Sequence, residues 1–384
     1  MYEPPVESFT DAERARLAPH FTNLDRPIFG LVNLPETVKG ALFARYSRYP
    51  GTLRRLFLEE FAEGLPAASG PPWDGAEGRR AAELYERVFA GYGDDSVAQL
   101  GGAHVACEWV SNILTKILQR PRLGAYLEQS TRYIPYDAQM PGGGYRYYRH
   151  PELDAGYAEA MDALFGIYSY LLPRVRAWAQ DTFPAADGEP ASAYERAIRA
   201  KALDLLRGLL PTASLSHMGI FATGQTYEQL ILHLMAHPLP EARECGRGIL
   251  EAVRAMMPSF VSRVERPDRG GEWVSYLEYR QHEAHRWAHR LGLDRETDPA
   301  AHEGGPSVRL VHVDGSEEDL LAALLFEASD VAEARTREAL GRLDSQARSE
   351  LLSDLIGLRV NRRHRPGRGF EALRYRFEIV SDYG

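Results

Sequence analysis

The sequence predicts an α+β fold that is rich in helices and has a small sheet, and three observations lead to this prediction. Long stretches of the first 290 residues carry apolar residues at three- to four-residue spacing, which is typical of amphipathic helices. Strand patterns are short and few, for example YRYYRH near residue 145. Hydrophobic residues are 44% and charged residues 26% of the chain, which is the ordinary range for a globular protein with a packed core.

Four helical segments are predicted before residue 120. They are LPETVKGALFARYS, TLRRLFLEEFAEGL, residues 75–91, and SVAQLGGAHVACEWVSNILTKILQ. The last segment is apolar on most sides, which predicts a long helix buried between other elements. Further helices are predicted for residues 151–182 and 190–210, and for TYEQLILHLMAH and EARECGRGILEAVRAMM, which are separated by Pro238 and Pro240.

A change of pattern near residue 300 predicts a domain boundary. LGLDRETDPAAHEGGP is rich in Gly, Pro and charge, as linkers are. After it, VRLVHVDG alternates like a strand, EEDLLAALLFEA has a helical pattern, and ALRYRFEIV is a mixed apolar stretch. The predicted organisation is an N-terminal extension over 1–29, a main domain over 30–290, a linker over 291–306 and a second region over 307–384.

Composition excludes several classes of protein. The net charge of −9 argues against a general nucleic-acid binder, which needs excess Lys and Arg to displace counterions from phosphates. The start MYEPPVESFTDAERARL is not a signal peptide, and no apolar run approaches the roughly 18 to 20 residues of a membrane span. Cys107 and Cys245 are too few for a disulfide scaffold or a cysteine zinc site, so we expect a cytoplasmic protein.

Two further motifs do not indicate a functional site. HEAHRWAH resembles a metal-binding helix, but Arg286 stands where the HExxH motif needs its second histidine. His285 and His289 share a helix face without a third ligand, so we predict no metal site. HMGIFATGQT and the glycines at 142–144 are too irregular for a dinucleotide fingerprint, and we predict turns there.

The stretch most indicative of chemistry is RPRLGAYLEQSTRY, residues 120–133. Its arginines can bind phosphate in a bidentate manner, which lysine does less well. Its carboxylate, amide and hydroxyl groups are of the kind that contacts a base or a sugar. The set suits a nucleotide, although surface arginines paired with local carboxylates would give a similar composition.

This stretch resembles the signature RHRxxSxNExSxRY of the flavin-dependent thymidylate synthases, in register over all its positions. The matching residues are Arg120, Arg122, Glu128, Ser130, Arg132 and Tyr133. Pro121, Ala125 and Leu127 replace the His, Ser and Asn of the signature.

Weaker likeness extends over residues 30–265. GDDSVAQL resembles the family element GHxSxxEH, in which it keeps Gly93 and Ser96 but has Asp94, Gln99 and Leu100 at the positions of His, Glu and His. Arg207 in RGLLP matches a family arginine before a Leu-Pro pair. A later helical segment keeps Arg247 but replaces four family residues; the replacements are Thr226, Glu228, His237 and Arg243.

The resemblance implies an α+β thymidylate synthase-complementing-protein-like domain that converts dUMP to dTMP. The implied dUMP-binding residues are Glu128, Gln129, Ser130, Thr131, Arg132 and Arg207, with Ser130 and Arg132 as the catalytic candidates. The implied FAD-binding residues are Ser96, Arg120, Arg122 and Glu371. NADPH and methylenetetrahydrofolate would be co-substrates, the reduced flavin would supply hydride, and the protein would form a homo-oligomer, a dimer or a tetramer.

Residues 307–384 resemble the opening of the same family domain, with Glu371 at the position of the Glu in GHxSxxEH. This likeness predicts a partial second α/β copy, and the arginine-rich RVNRRHRPGRG is then part of that copy. The chain would be either a fragment of a tandem protein or a protein with a truncated second copy.

Two functions remain open besides a structural remnant without a ligand. The first is a divergent flavin-dependent thymidylate synthase. The second is a pseudoenzyme that holds a pyrimidine nucleotide, or only a partner subunit, without flavin. Pro121, Asp94 and Glu228 favour the second function, because two of these three replacements put negative charge where a flavin pyrophosphate would bind.

Overall fold

The computed structural model describes residues 7–34, 36–62, 98–99, 101–140, 143–293 and 305–381. The chain divides into two compact units, residues 1–291 and 292–383. We call these unit 1 and unit 2. Helices dominate both units, and each contains an antiparallel sheet, so the predicted α+β class is confirmed.

The sheet of unit 1 has four antiparallel strands, which are β1 (Ile28–Gly30), β2 (Gly102–Ser111), β3 (Gly124–Glu128) and β4 (Leu215–Thr223). Their order is β1-β2-β4-β3. Ile28 is opposite Cys107 in the first pair, and Glu128 is opposite Met218 in the last. The two long strands β2 and β4 are therefore central. The strand β3, which carries part of the predicted nucleotide-binding motif, lies at an edge of the sheet.

The helices of unit 1 are α1 (Asp11–Leu17), α2 (Glu36–Tyr46), α3 (Leu53–Leu56), α4 (Asn112–Leu118), α5 (Ala155–Thr182), α6 (Ala191–Leu206), α7 (Gly224–Met235), α8 (Pro240–Met256), α9 (Pro258–Val261) and α10 (Glu272–Arg290). Side chains at strand ends start two of them. The hydroxyl of Ser111 accepts the amide of Leu114 at the start of α4, and that of Thr223 accepts the amide of Thr226 at the start of α7. Each of these helices thus follows its strand directly.

Both faces of the central strands are covered. On one face, Val105 and Cys107 of β2 pack in a cluster with Ile231 of α7 and Ile249 of α8. On the other face, Ala106 belongs to a cluster with side chains of α1, α2 and α3. A third cluster joins α5 and α6 to the segment around Tyr147. The core of unit 1 therefore lies on both sides of β2 and β4.

The prediction of one long helix over SVAQLGGAHVACEWVSNILTKILQ is wrong. Its first part lies largely outside the described residues, Gly102–Ser111 form β2, and only Asn112–Leu118 are helical. A strand that is buried on both faces has a nearly continuous apolar sequence, so it lacks the alternation by which half-buried strands are recognised. The predicted burial is confirmed, since most of β2 is buried.

The prediction of turns in HMGIFATGQT is also wrong. Its first part lies in β4, and its last residues begin α7. The predicted helices around residues 40, 165, 198, 230 and 248 are confirmed with the bounds given above. The predicted helix over 75–91 lies outside the described residues. Among the residues that are described, no helix is long and apolar enough to cross a membrane.

Unit 2 contains β5 (Ser307–Asp314), α11 (Glu317–Phe326), α12 (Glu333–Leu340), α13 (Ser345–Ile356) and β6 (Arg374–Val380). The two strands pair antiparallel, with Val308 opposite Ile379 and Leu310 opposite Phe377. The predicted strand VRLVHVDG and the predicted helix after it are confirmed, and ALRYRFEIV contains β6. A small cluster of buried side chains, Leu321, Ala322 and Leu340, joins α11 to α12.

Candidate functional site

The loop after β3 carries the predicted nucleotide residues, and backbone bonds fix its shape. Tyr133 N and Ile134 N donate to Ser130 O at 3.1 and 3.2 Å. Ser130 N donates to the carbonyl of Ser47, just after α2, at 3.2 Å. The Ser130 hydroxyl accepts the amide of Arg132 at 3.3 Å. These bonds hold the loop in one turn. The turn carries the hydroxyl of Ser130 and the guanidinium of Arg132, two positions apart.

Gln129 anchors this loop to three distant parts of the chain. Its side chain is buried, its Nε2 donates to Tyr49 O at 2.6 Å, and its Oε1 accepts a hydrogen bond from Arg146 Nη2. Its backbone amide donates to His217 O at 2.9 Å. Because both ends of the amide are occupied, Gln129 holds the loop in position.

The carboxylate of Glu128 is engaged with α4. Thr115 Oγ1 donates to Glu128 Oε1 at 2.9 Å, and Lys116 Nζ and Gln119 Nε2 each donate to Oε2 at 2.8 Å. These three donors tie the end of β3 to the helix before it. A dUMP-binding role for Glu128 stays a prediction, and a ligand would compete with these donors.

Arg132 and Arg207 meet at one carboxylate. Nε of Arg132 lies 3.2 Å from Asp204 Oδ1, and Nε of Arg207 lies 3.2 Å from the same oxygen. Arg132 is 56% exposed at its side chain, and the other two side chains are 38% exposed. Two arginines that are 75 positions apart in sequence therefore form one solvent-accessible cationic cluster, which can accept a phosphate group.

A buried polar cluster lies behind the loop. The Arg146 guanidinium lies 5.0 Å from the ring centroid of Trp109 and 4.9 Å from that of Tyr136. His217 is fully buried and its Nδ1 accepts the Trp109 amide at 3.1 Å. Burial and the nearby charge of Arg146 hold the pKa of His217 well below its usual value. The imidazole is therefore neutral at physiological pH.

A second cluster of basic groups lies in a groove of about 570 Å³ between α7 and α10. Its polar lining includes Arg120, His233, His237 and Arg280. Burial, together with Arg120 and Arg243, lowers the pKa of His237. In the described part of the chain, Arg120 and Arg280 form no ion pair. The groove is therefore suited to an anionic group such as a pyrophosphate.

Two of the residues that replace family residues have structural partners. Glu228 is buried and accepts from Arg263 Nε at 3.0 Å and Nη2 at 2.6 Å. Its negative charge is thus neutralised, which removes the electrostatic objection to an anion that was based on this residue. Thr226 Oγ1 donates to Leu123 O at 3.0 Å, which ties the start of α7 to the turn before β3.

The remaining predicted site residues are dispersed. Arg122 is exposed in the turn before β3, and Thr131 lies in the loop after it. Ser96 lies outside the described residues. Glu371 lies in unit 2, where its carboxylate pairs with Arg368 at 2.9 Å. The structure thus brings Ser130, Arg132 and Arg207 into one region, whereas Arg120 lines the separate groove between α7 and α10.

Sequence reasoning missed several polar residues of unit 1. Three of them are Asp204, Arg146 and His217. Glu108 and Trp109 were also missed; they belong to the acidic and aromatic lining of a cavity of about 910 Å³ between β1, β2 and α8. Asp204 could have been found, because it precedes Arg207 by three positions on a helix and such pairs face each other. The described residues contain no group of three or more side chains suited to hold a metal ion.

Comparisons with known proteins agree with the motif. The family model described as thymidylate synthase complementing protein matches residues 60–259. A UPF0159 protein of Chlamydia muridarum is 38% identical over 387 residues, which cover 98% of this chain and 72% of the relative. A UPF0159 protein of Chlamydia pneumoniae is 37% identical, with 98% of this chain and 72% of the relative covered.

Among solved structures, flavin-dependent thymidylate synthase ThyX from Helicobacter pylori, complexed with FAD and dUMP, is 14% identical to this chain. The alignment covers 46% of this chain and 78% of that chain, with a TM-score of 0.33.

Proposed function

Since the chain belongs to the thymidylate synthase complementing protein family, we propose that unit 1 binds dUMP at the loop after β3 and transfers to it a one-carbon unit from methylenetetrahydrofolate, giving dTMP. The observation that carries this proposal is the convergence of Arg132 and Arg207 on Asp204 beside the loop of Ser130. NADPH would be the reductant, and the protein would act as a homo-oligomer.

In this proposal the chain's own residues bind and orient the nucleotide. Arg132 and Arg207 would hold the phosphate by charge-assisted hydrogen bonds. Ser130 and the backbone of Thr131 would face the uracil or the sugar, and Gln129 would keep the loop in place through its bonds to Tyr49 and Arg146. Orientation is the main contribution that a protein makes to a reaction of this kind.

The groove lined by Arg120 and Arg280 fits the anionic part of a flavin, because it offers two cations without carboxylate partners among the described residues. Arg120 and Arg122 would then hold FAD, and Ser96 and Glu371 stay predicted contributors. A bound flavin would supply the hydride that completes the methyl group.

The nucleotide part of the proposal can be tested by calorimetric titration with dUMP and with deoxyuridine, which lacks the phosphate. Arg132→Gln and Arg207→Gln should each weaken dUMP binding roughly tenfold and change deoxyuridine binding little, because each removes one phosphate contact. Arg196→Gln, an exposed arginine on the same helix as Asp204, is the control and should bind dUMP like the unaltered protein. Equal losses for both ligands would contradict a phosphate contact.

The flavin part can be tested by the visible absorption spectrum after FAD is added. Bound flavin that is bleached by NADPH, altered by dUMP and able to form dTMP with methylenetetrahydrofolate would support the enzyme. Arg120→Gln should weaken FAD binding without altering dUMP binding, because Arg120 lines the groove between α7 and α10 and is not part of the cluster of Arg132, Asp204 and Arg207.

A pyrimidine nucleotide-binding protein without flavin is the second candidate. The observation that favours it is that Thr226 and Glu228, at positions where the family carries Asn and Arg, are both used within the fold. A protein that ignores FAD but is stabilised against heat by dUMP would support this candidate over the enzyme.

A further inference from the structure

One face of the two-stranded sheet of β5 and β6 in unit 2 is apolar and exposed. The side chains on this open face are 43 to 70% exposed; they are Val308, Leu310, Val313, Tyr375, Phe377 and Ile379. The opposite face carries polar side chains, including Arg309, Arg376 and Glu378. Small apolar side chains scattered over a surface need no explanation, but six large ones on one sheet face indicate an interaction surface.

The pair of β5 and β6 repeats the pairing of β1 and β2 in unit 1. Ile28 is opposite Cys107 in unit 1, and Val308 is opposite Ile379 in unit 2. Glu371 lies in a 3-10 turn three positions before the start of β6, and Gln99, also in a 3-10 conformation, lies three positions before the start of β2. One offset therefore superposes the turn and β6 on the turn before β2 and on β2, and a second offset superposes β5 on β1 with the same pairing register.

The offset between β6 and β2 makes the β6 part of the open face correspond to a face of β2 that is covered in unit 1. Tyr375, Phe377 and Ile379 correspond to Ala103, Val105 and Cys107. The three residues of unit 1 are buried in one cluster with side chains of α7 and α8, such as Ile231 and Ile249. In unit 1 the face is thus filled by helices that follow β4 directly in the chain.

The free edge of β6 corresponds to the edge of β2 that pairs with β4 in unit 1. In unit 1, β4 pairs with β2 on the side away from β1, with Val105 opposite Ile220. In unit 2 the sheet has two strands, and within the described residues no strand pairs with this edge of β6. An unpaired edge beside an apolar face can accept an added strand together with the helices that cover the face.

We infer that the open face and the free edge of β6 form a docking site for a polypeptide segment that has the pattern of β4, α7 and α8, namely a strand followed directly by two amphipathic helices. Docking would complete in unit 2 the sheet-and-helix core that unit 1 already contains. Backbone hydrogen bonds at the edge would give the register, and burial of Phe377 and its neighbours would give most of the affinity.

The length of the relatives agrees with such a segment. The match covers 72% of the Chlamydia muridarum protein, so about 150 of its residues lie outside the matched region. In unit 1, the stretch from Asn112 to Val261, which follows β2 and contains β4, α7 and α8, has about the same length. Proteins of this family therefore carry enough additional chain for one further segment of this kind.

The test uses the full chain and a fluorescently labelled peptide that covers Leu215–Met256. The peptide should bind saturably, as measured by anisotropy, and should slow hydrogen exchange of the β6 amides. Phe377→Ala should weaken binding roughly tenfold, because Phe377 corresponds to the buried Val105. Arg376→Ala, on the opposite face of the same strand, is the matched control and should leave binding unchanged.

Both altered side chains are exposed, so neither substitution should unfold unit 2, which circular dichroism checks. Absence of binding, or equal binding to the Phe377→Ala and unaltered proteins, would overturn the inference. Self-association of the chain that Phe377→Ala abolishes in sedimentation, without peptide binding, would also overturn it, because a second copy would then be the occupant of the open face.

Discussion

At the scale of single residues, the proposed phosphate site depends on the charges of Arg132, Asp204 and Arg207. Asp204 neutralises one of two positive charges, so the cluster carries a net charge of one. The same carboxylate limits repulsion between the two guanidinium groups, since both Nε atoms lie 3.2 Å from its Oδ1. A phosphate that binds the arginines would have to displace or share this contact.

Replacing Asp204 by Asn should therefore strengthen phosphate binding. We expect Asp204→Asn to tighten dUMP binding roughly two- to fivefold and to leave deoxyuridine binding unchanged, because partly exposed charges contribute about 0.5 to 1 kcal/mol. Calorimetric titration measures both affinities. Glu195→Gln, on the same helix and exposed, is the control. Weaker dUMP binding would mean instead that Asp204 positions the arginines.

His217 should make stability depend on pH. Its folded-state pKa is lowered, whereas the unfolded chain has an ordinary histidine pKa near 6.5, so below pH ~6.5 the unfolded state binds a proton that the folded state does not. The free energy of unfolding should fall with decreasing pH by up to about 1.4 kcal/mol per pH unit from this residue alone. Urea unfolding at pH 5.5, 6.5 and 7.5 measures it.

The variant His217→Gln keeps an acceptor for the Trp109 amide but does not titrate. Its stability should fall less steeply below pH 6.5 than that of the unaltered protein. Some slope should remain, because burial also lowers the pKa values of His20 and His237. Identical slopes for both proteins would show that His217 does not carry the effect.

How much of the site the sequence predicts depends on whether partners are close in the chain. The grouping of Ser130 and Arg132 could be predicted because they are two positions apart in the chain. The assignment of Arg207 to the same site followed from the family resemblance. The anchoring of Gln129 by Tyr49 and Arg146 could not be predicted, because these partners are 80 and 17 positions away and only the fold brings them together. The ion pair between Glu228 and Arg263 could not be predicted for the same reason, because the two residues are distant in the chain and only the fold brings them together.

At the scale of elements, β2 and β4 illustrate the limit of periodicity. Helices such as α5, α6 and α8 have one exposed face, and their apolar spacing predicts them. The central strands are covered on both faces, so alternation disappears and β2 resembles a buried helix. Only the β-branched and aromatic residues of β2, such as Val105, Trp109 and Val110, could have indicated a strand.

The contact between β4 and α2 should tolerate no side chain at Gly219. A Cβ atom there would lie 2.8 Å from the ring of Phe43, which is buried. Gly219→Ala should lower the free energy of unfolding by about 1 to 3 kcal/mol, because the ring cannot move without disturbing the core. Gly166→Ala, inside α5 with nothing within 4 Å of the added atom, is the control and should be stabilising by up to about 1 kcal/mol. Equal effects would contradict close packing at Gly219.

At the scale of the whole molecule, the two units differ in the size of their cores. Unit 1 has extensive clusters on both faces of its sheet, whereas the cluster of fully buried side chains in unit 2 comprises Leu321, Ala322 and Leu340. The change of sequence pattern near residue 300 predicted two regions, but it contained no information on how well each region is packed. A small core makes a unit marginally stable.

Substitution in the core of unit 2 should unfold that unit alone. Leu340→Ala removes a buried side chain and should cost about 2 to 5 kcal/mol. All five tryptophans lie in residues 1–291, so tryptophan fluorescence reports on unit 1, whereas far-ultraviolet circular dichroism reports on both units. We expect part of the dichroism to be lost at lower urea while the fluorescence transition is unchanged. Coincident shifts of both signals would mean that the units unfold together.

The anchoring of Gln129 has a consequence for the order of events during folding. Its bonds join Tyr49, Arg146 and His217, so the loop of Ser130 cannot take its final shape until segments separated by 80 and more positions have met. Closing such long loops is entropically costly and slow compared with helix formation. The loop of Ser130 is therefore a late product of chain collapse, and newly made protein forms its helices before this loop takes its final shape.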